Sequence, residues 1–141
     1  MTFFKRQDIG RVYVVKLILP DSTIVHKVGM THTDRATDRM MEILRSWFSY
    51  FRYVPYAELK LDMQCNNPLE IEAYMHSILR PLSFTPKFKV QGSTEMFTGV
   101  NEYKLLTFMK AVNNSNLSKL AKVSDSQAKV LSNLLRSDNG K

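Results

Sequence analysis

The sequence predicts a mixed α/β (α+β) domain, in which a small three-stranded antiparallel sheet is flanked by helices and followed by a C-terminal helical extension. Three patterns predict it: a β-hairpin near the start, an amphipathic helix after it, and a segment that alternates with the period of a strand. The chain has 141 residues, 44% of them hydrophobic. This length supports one ordinary core and excludes two large domains.

The hairpin is predicted from two runs rich in β-branched residues. They cover Val12–Leu19 and Thr23–Val28 and flank the turn-forming sequence Pro20-Asp21-Ser22. The chain should therefore fold back antiparallel within a few residues. Tyr13 and Lys27 then lie on neighbouring strands.

The helix after the hairpin is predicted to begin at Asp34, whose side chain can cap it. Its apolar positions recur at three- and four-residue spacing: Met40, Ile43, Leu44, Trp47, Phe48 and Phe51. This stripe predicts a face buried in the core. Residues Tyr53–Gln64 then alternate between polar and apolar side chains, which predicts a half-buried third strand paired with the hairpin.

Further elements follow in the second half of the chain. Asn67 and Pro68 form a helix-start signal, with asparagine as the cap and proline at the first helical position. We expect residues 80–91 to form a loop over the site, and a further helix to run from Asn101 to Val112. The break after Val112 divides the chain into a domain of residues 1–113 and a basic helical extension of residues 114–141.

The extension has two interpretations. Its lysines and the sequence Val123-Ser124-Asp125 resemble a helix-turn-helix that contacts phosphates. A single amphipathic helix is the favoured alternative. Its apolar side would pack Leu117, Leu120, Leu131 and Leu134 on the domain.

Charge and cysteine content restrict the partners and the compartment. The net charge of +7 and the pI near 9.6 favour an anionic partner such as DNA. A single cysteine, Cys65, provides neither an internal disulfide nor a zinc framework. The first residues carry charges where a signal peptide needs apolar ones, and no run reaches membrane-spanning length. We expect a soluble protein of a reducing cytoplasm that does not engage a membrane.

Several short motifs occur in a suggestive order. Val12-Tyr13 is followed by Lys27-Val28-Gly29-Met30-Thr31, by Arg39 on the first helix and by a Glu72-x-x-x-His76 pair; Glu95-Met96-Phe97 closes the series. This order resembles the GIY-YIG nuclease superfamily, and in particular a phage-enriched branch whose second motif contains Lys-Ile-Gly. Lys27 stands where most of the superfamily has its second tyrosine.

The resemblance implies a metal-dependent DNA endonuclease encoded by a phage or mobile element, acting in the host-cell cytoplasm with Mg²⁺ or Mn²⁺. It implies that Glu72 is the metal ligand, that Arg39 stabilises the transition state and that Tyr13 helps to deprotonate the attacking water. The residue types suit these tasks, because phosphodiester hydrolysis needs a cation on the phosphate, a base and a metal held by carboxylate. His76 shares a helix face with Glu72 and can orient a neighbour.

Three assignments stay open at this point. Lys27 can assist Tyr13 as a cation, or act as the base itself if it is neutral. Arg35 shares a helix face with Arg39, so spacing alone does not separate them. His26 and His32 are expected to face solvent. The side chains expected to contact DNA outside the catalytic set are Arg35, Lys87, Lys89, Lys119 and Lys122.

Two other functions compete with the nuclease. A catalytically inactive module with the same fold would bind DNA or a host protein through its basic face. A structural or host-inhibiting protein would instead act through the aromatic surface near residues 50–56. A homodimer is compatible with each of them.

Overall fold

The computed structural model describes residues 9–32, 34–84, 96–115 and 122–137. In chain order the elements within these ranges are β1 (Gly10–Ile18), β2 (Ile24–Thr31), α1 (Ala36–Phe51), β3 (Tyr56–Cys65), α2 (Pro68–Leu79), a 3-10 turn (Arg80–Leu82), β4 (Met96–Thr98), α3 (Glu102–Asn114) and α4 (Asp125–Leu135). The predicted α/β class is confirmed.

The described strands form one antiparallel sheet in the order β3-β1-β2-β4. The hairpin and the pairing of the third strand with it are confirmed, but the prediction of three strands was wrong. The fourth strand, β4, pairs with β2 opposite residues 25–27. It has three residues, too few to produce an alternating pattern in the sequence.

The two faces of the sheet pack against different helices. On one face Tyr13, Val15 and Leu17 of β1 pack with Ile43 and Trp47 of α1. On the other face a larger cluster joins the sheet to α2, α3 and α4; it includes Val12, Val14, Val28, Ile71, Met75, Leu105 and Leu135. Neighbouring residues of a strand point to opposite faces, so the alternation along β1 and β2 decides which helix each side chain meets.

The helix starts are only partly as predicted. Asn67 is the N-cap residue of α2 and Pro68 its first residue, as expected. The expectation that Asp34 caps α1 was wrong, because the N-cap residue is Arg35. The main-chain N–H of Asp34 instead donates to the side-chain oxygen of Thr31 at 3.0 Å, which forms the turn between β2 and α1.

The C-terminal helix α4 shares the core with the rest of the fold. Leu135 is buried, and Leu131 packs partly against the same cluster. Leu134 is 61% exposed, so its predicted packing was wrong. Leu117 and Leu120 lie outside the described residues. The main-chain N–H of Asn101 donates to the carbonyl of Leu135 at 2.8 Å, which attaches the end of α4 to the start of α3.

Candidate functional site

The centre of the candidate site is a buried contact between Tyr13 and Lys27. Tyr13 pairs with Gly29 in the hairpin and Lys27 pairs with Val15, so both side chains lie on the face that α1 covers. Each of the two residues is only 1% exposed. The Lys27 ammonium donates to the Tyr13 hydroxyl at 3.3 Å, and its nitrogen lies 5.1 Å from the centre of the ring.

Gly29 provides the space for this contact. A Cβ atom at position 29 would lie 2.6 Å from the Lys27 nitrogen and 2.6 Å from the Tyr13 hydroxyl oxygen. Any side chain there would force the pair apart. The β1–β2 register runs through Gly29 without interruption, and the irregularity in β1 lies between Val14 and Val15, opposite β3. Gly29 therefore serves close packing and not a bulge.

Arg39 brings a second cation to Tyr13 from the first turns of α1. Burial disfavours its charge, but a hydrogen bond and the charge interaction with Tyr13, together with the carboxylates of Glu42 and Asp34, raise the pKa of Arg39 above its usual value. One guanidinium nitrogen lies 2.6 Å from a Glu42 oxygen. The side chain is 29% exposed, which leaves part of the guanidinium open to an incoming anion.

Arg35 takes a different position. Its side chain is 81% exposed and lies 3.4 Å from the carboxylate of Asp38, one turn along the helix. The structure thus brings Arg39 to Tyr13, and Arg35 points into solvent. Of the two arginines that the spacing left open, Arg39 has the geometry of a site residue.

His76 contacts β2, the strand that carries Lys27, from the opposite face of the sheet. Its Nε2 lies 2.7 Å from the carbonyl oxygen of Val28, so the ring N–H donates to that carbonyl. Val28 stands between Lys27 and Gly29 in β2. His76 therefore holds in place the strand segment that carries Lys27 and Gly29.

Glu72 lies one helical turn before His76 and is partly buried. Pro68, the first residue of α2, lies against Gly10, and the helix then passes Val28 at His76. Glu72 is located between these two contacts. The structure therefore brings Tyr13, Lys27 and Arg39 together on one face, while Glu72 and His76 approach β2 with the helix on the other face.

Of the predicted DNA contacts outside this group, Lys122 and Arg35 are exposed. Lys87, Lys89 and Lys119 lie outside the described residues, as does most of the predicted loop of residues 80–91. Glu95 lies outside them too.

His26 was expected to face solvent, and that prediction was wrong. The residue is 3% exposed, because the alternation along β2 turns it to the same face as Val28. Its Nε2 lies 3.0 Å from one oxygen of Glu102, whose other oxygen lies 3.3 Å from the Lys60 ammonium. The second ring nitrogen of His26 is buried, and no hydrogen-bond partner for it lies among the residues that the structure describes. His32 is exposed, as expected.

Burial is the main cause that holds the pKa of His26 below its usual value. Lys16 and Lys60 act in the same direction, and Glu102 acts against them. For the Glu102 carboxyl, burial raises the pKa, but hydrogen bonds and charge from His26 and Lys60 outweigh it and leave that pKa lowered. Period-two alternation alone would have placed His26 inside the protein. Its partner Glu102 had no signal in the sequence, because it comes from a distant helix.

An open cavity of about 500 Å³ lies beside His26. It is lined by Lys16, Ser22, Thr23, Ile24, His26, Thr98, Gly99, Val100, Glu102 and Ser137. Side chains of a strand alternate between the two faces of the sheet, so Lys16 and His26 point to the face opposite the one that carries Tyr13. The cavity is therefore separate from the contact between Tyr13 and Lys27.

Metal binding can be examined within the ranges that the structure describes. There, no group of three or more His, Cys, Asp or Glu side chains is arranged to hold an ion. Mg²⁺ usually keeps several waters and binds through one or two carboxylates, so a closed protein cage is not required. Glu72, a partly buried carboxylate on α2, fits that simpler donor set.

No protein-family model matches the chain, and no curated protein or solved structure shows significant similarity to it. The described helices include none with the length and apolar character needed to cross a bilayer.

Proposed function

We propose that the protein is a metal-dependent endonuclease that hydrolyses phosphodiester bonds in DNA. The observation that carries the proposal is the group formed by Tyr13, Lys27 and Arg39, called here the tyrosine cluster. It places a hydroxyl between two cations on one face of the sheet. An arrangement of this kind suits a reaction in which a proton is removed beside a phosphate.

Tyr13, in its deprotonated form, is the group that takes the proton from the attacking water. The Lys27 ammonium donates to the Tyr13 oxygen at 3.3 Å and places a positive charge beside it. The water oxygen forms the new bond to phosphorus, the bond to the departing sugar oxygen breaks, and that oxygen takes up a proton from solvent. This geometry favours Tyr13 as the base, with Lys27 as its supporting cation.

Arg39 stabilises the charge that develops on the phosphate oxygens. Its guanidinium stays protonated, since its pKa is raised, and it presents two N–H groups in a plane that matches a phosphate. The contact with Glu42 holds the guanidinium in position until the substrate arrives.

Glu72 is the residue proposed to hold Mg²⁺ or Mn²⁺, which would supply charge neutralisation on bound DNA. Since α2 packs on the opposite face of the sheet from the tyrosine cluster, this ion would not share the phosphate that Arg39 contacts. His76 is a positioning residue in this scheme. It binds the carbonyl of Val28 and so fixes the strand that carries Lys27.

The test is cleavage of supercoiled plasmid in the presence of Mg²⁺ or Mn²⁺. The wild-type protein should nick or linearise the DNA, and Arg39→Ala and Glu72→Ala should not. Arg136→Ala, which removes an exposed arginine just after the end of α4, is the control and should cleave normally. Absence of cleavage by the folded wild-type protein, with both ions and several DNA structures, would contradict the proposal.

A second candidate is a module that binds DNA without cutting it. Two features of the sequence favour this module. Position 27 is a lysine where the GIY-YIG superfamily, which the motifs resemble, has a tyrosine, and the net charge is +7. Tight, salt-dependent binding without any cleavage would support this module instead of the nuclease.

A further inference from the structure

Helix α1 carries a row of exposed side chains on the side away from the core. Met41, Arg45, Phe48 and Arg52 follow one another at spacings of four, three and four residues, so they share one face of the helix. Met41 is 45% exposed and Phe48 is 50% exposed, and both arginines are exposed. The prediction that Phe48 belongs to the buried stripe of α1 was therefore wrong. Arg52 follows the last helical residue, and its N–H donates to the Phe48 carbonyl at 2.9 Å. These four residues are called here the α1 row.

The charge around the α1 row is positive. Residues 43–57 contain two arginines and no acidic residue. The acidic residues of α1, Asp38 and Glu42, lie in its first half, and each pairs with an arginine there. The arginines at 45 and 52 thus face solvent in a segment without acidic residues, which complements a polyanion.

The α1 row places an aromatic ring between two cations. Arg45 and Arg52 are seven residues apart, or about 10 Å along the helix axis at 1.5 Å per residue. Phe48 stands between the arginines with half of its surface exposed, so a base can stack on its ring while the flanking phosphates meet the guanidinium groups.

We infer that the α1 row binds an unpaired segment of a nucleic-acid strand, with Arg45 and Arg52 on phosphates and Phe48 stacked on a base. The inference rests on the proposed function and specifies its substrate. The same helix carries Arg39, but nine residues are about two and a half turns, so Arg39 lies on the opposite side of α1 from Phe48. The preferred substrate is therefore DNA that contains a single-stranded stretch as well as the phosphate that is cut.

Preference for a single strand follows from the aromatic ring. In a duplex the base faces are stacked inside the helix, so Phe48 has no exposed face to cover, and only the arginines contribute. In an unpaired strand both interactions are available. A protein partner would instead use the apolar area of Phe48, which leucine can largely replace.

The experiment measures binding of fluorescently labelled oligo-dT and of a duplex of equal length by anisotropy, in EDTA so that no cleavage occurs. Phe48→Leu should weaken oligo-dT binding about tenfold and change duplex binding less than about twofold. Phe48→Trp should bind oligo-dT at least as well as the wild type. Tyr103→Leu, which removes a 78%-exposed ring on α3, is the control and should have no effect.

The arginines are tested through the salt dependence of the same binding. Each phosphate contact on a single strand contributes about 0.7 to the slope of log affinity against log salt. The double variant Arg45→Ser, Arg52→Ser should therefore reduce the slope by about 1.4. An unchanged slope would overturn the phosphate contacts.

Several results would overturn the inference as a whole. Equal oligo-dT affinity in Phe48→Leu and the wild type would remove the stacking contact. A shift in oligomeric state in Phe48→Leu, measured by light scattering, would assign the row to a second copy of the chain. The proposed function is tested separately, because cleavage is measured with Arg39→Ala. If the protein cleaves DNA but Phe48→Leu binds oligo-dT as well as the wild type does, only this inference is refuted. If Phe48→Leu weakens oligo-dT binding but the wild type does not cleave, only the nuclease is refuted.

Discussion

At the scale of single residues, the tyrosine cluster depends on three side chains from three elements and on one residue without a side chain. Tyr13 and Lys27 occupy neighbouring strands, and Gly29 leaves the space in which they touch. A lysine that is 1% exposed is unusual, because an ammonium group is costly to bury without partners. Its contact with Tyr13 is therefore a specific feature of the fold and a sound basis for a functional proposal.

The first prediction concerns Gly29. Gly29→Ala would place a methyl group 2.6 Å from the Lys27 nitrogen, so the pair must separate. We expect the free energy of unfolding, measured with urea, to fall by about 1–3 kcal/mol. In a Lys27→Ala background one of the crowded neighbours is gone, and the same substitution should cost less. An equal cost in both backgrounds would contradict the proposed packing.

The second prediction concerns Arg39. Arg39→Ala should lower the single-turnover cleavage rate by about 10²–10³-fold, the usual effect of removing one transition-state donor. Arg39→Lys keeps the charge but loses the planar pair of N–H groups, so its rate should lie between those of Arg39→Ala and the wild type. Quenched-flow measurement at saturating protein gives these rates. Full activity of Arg39→Ala would assign the role to another cation.

At the scale of elements, the sequence predicted what depends on local periodicity. The hairpin, α1 and β3 each have enough residues to show an alternation or a helical repeat, and each is present. The placement of Tyr13 and Lys27 on neighbouring strands followed from the hairpin alone. The start of α1 was misplaced by one residue, and β4 was too short to detect. Contacts between distant elements, such as His26 with Glu102, leave no local pattern.

The third prediction concerns α2 as the carrier of the metal ligand. Glu72→Gln keeps the size of the side chain and removes its charge, so Mn²⁺ affinity should fall at least about tenfold and cleavage with it. Glu70→Gln, an exposed carboxylate on the same helix, is the matched control. Calorimetric titration with Mn²⁺ measures the affinity. Equal losses in both variants would indicate a general charge effect and not a site.

At the scale of the whole molecule, the buried pair of His26 and Glu102 joins the sheet to the start of α3. Burial keeps His26 neutral, so the Nε2–H donates to the carboxylate and the other ring nitrogen carries a lone pair. Protonation would place an N–H in that second position, where the described part of the chain provides no acceptor. The fold is therefore expected to resist protonation of His26.

The fourth prediction is the pH dependence of stability that follows. The pKa of His26 is lower in the folded protein than in the unfolded chain, so the unfolded chain binds the proton first. The stability is complete above about pH 6.5 and declines as the pH falls further. The Glu102 carboxyl, whose pKa is also lowered, adds a second loss below about pH 4.5.

Thermal unfolding between pH 8 and pH 5 measures this effect. The wild type should lose stability across that range, and His26→Gln, which can still donate to Glu102, should lose less. His32→Gln, at an exposed histidine, should behave like the wild type. A His26→Gln profile parallel to that of the wild type would contradict the assignment to His26.

The most direct measurement is a crystal structure of the protein with Mn²⁺ and a short DNA oligonucleotide. The account predicts a phosphate against the guanidinium of Arg39 and beside the Tyr13 hydroxyl, with anomalous density for manganese at Glu72. A phosphate bound on another surface, with Tyr13, Lys27 and Arg39 free of DNA, would contradict it.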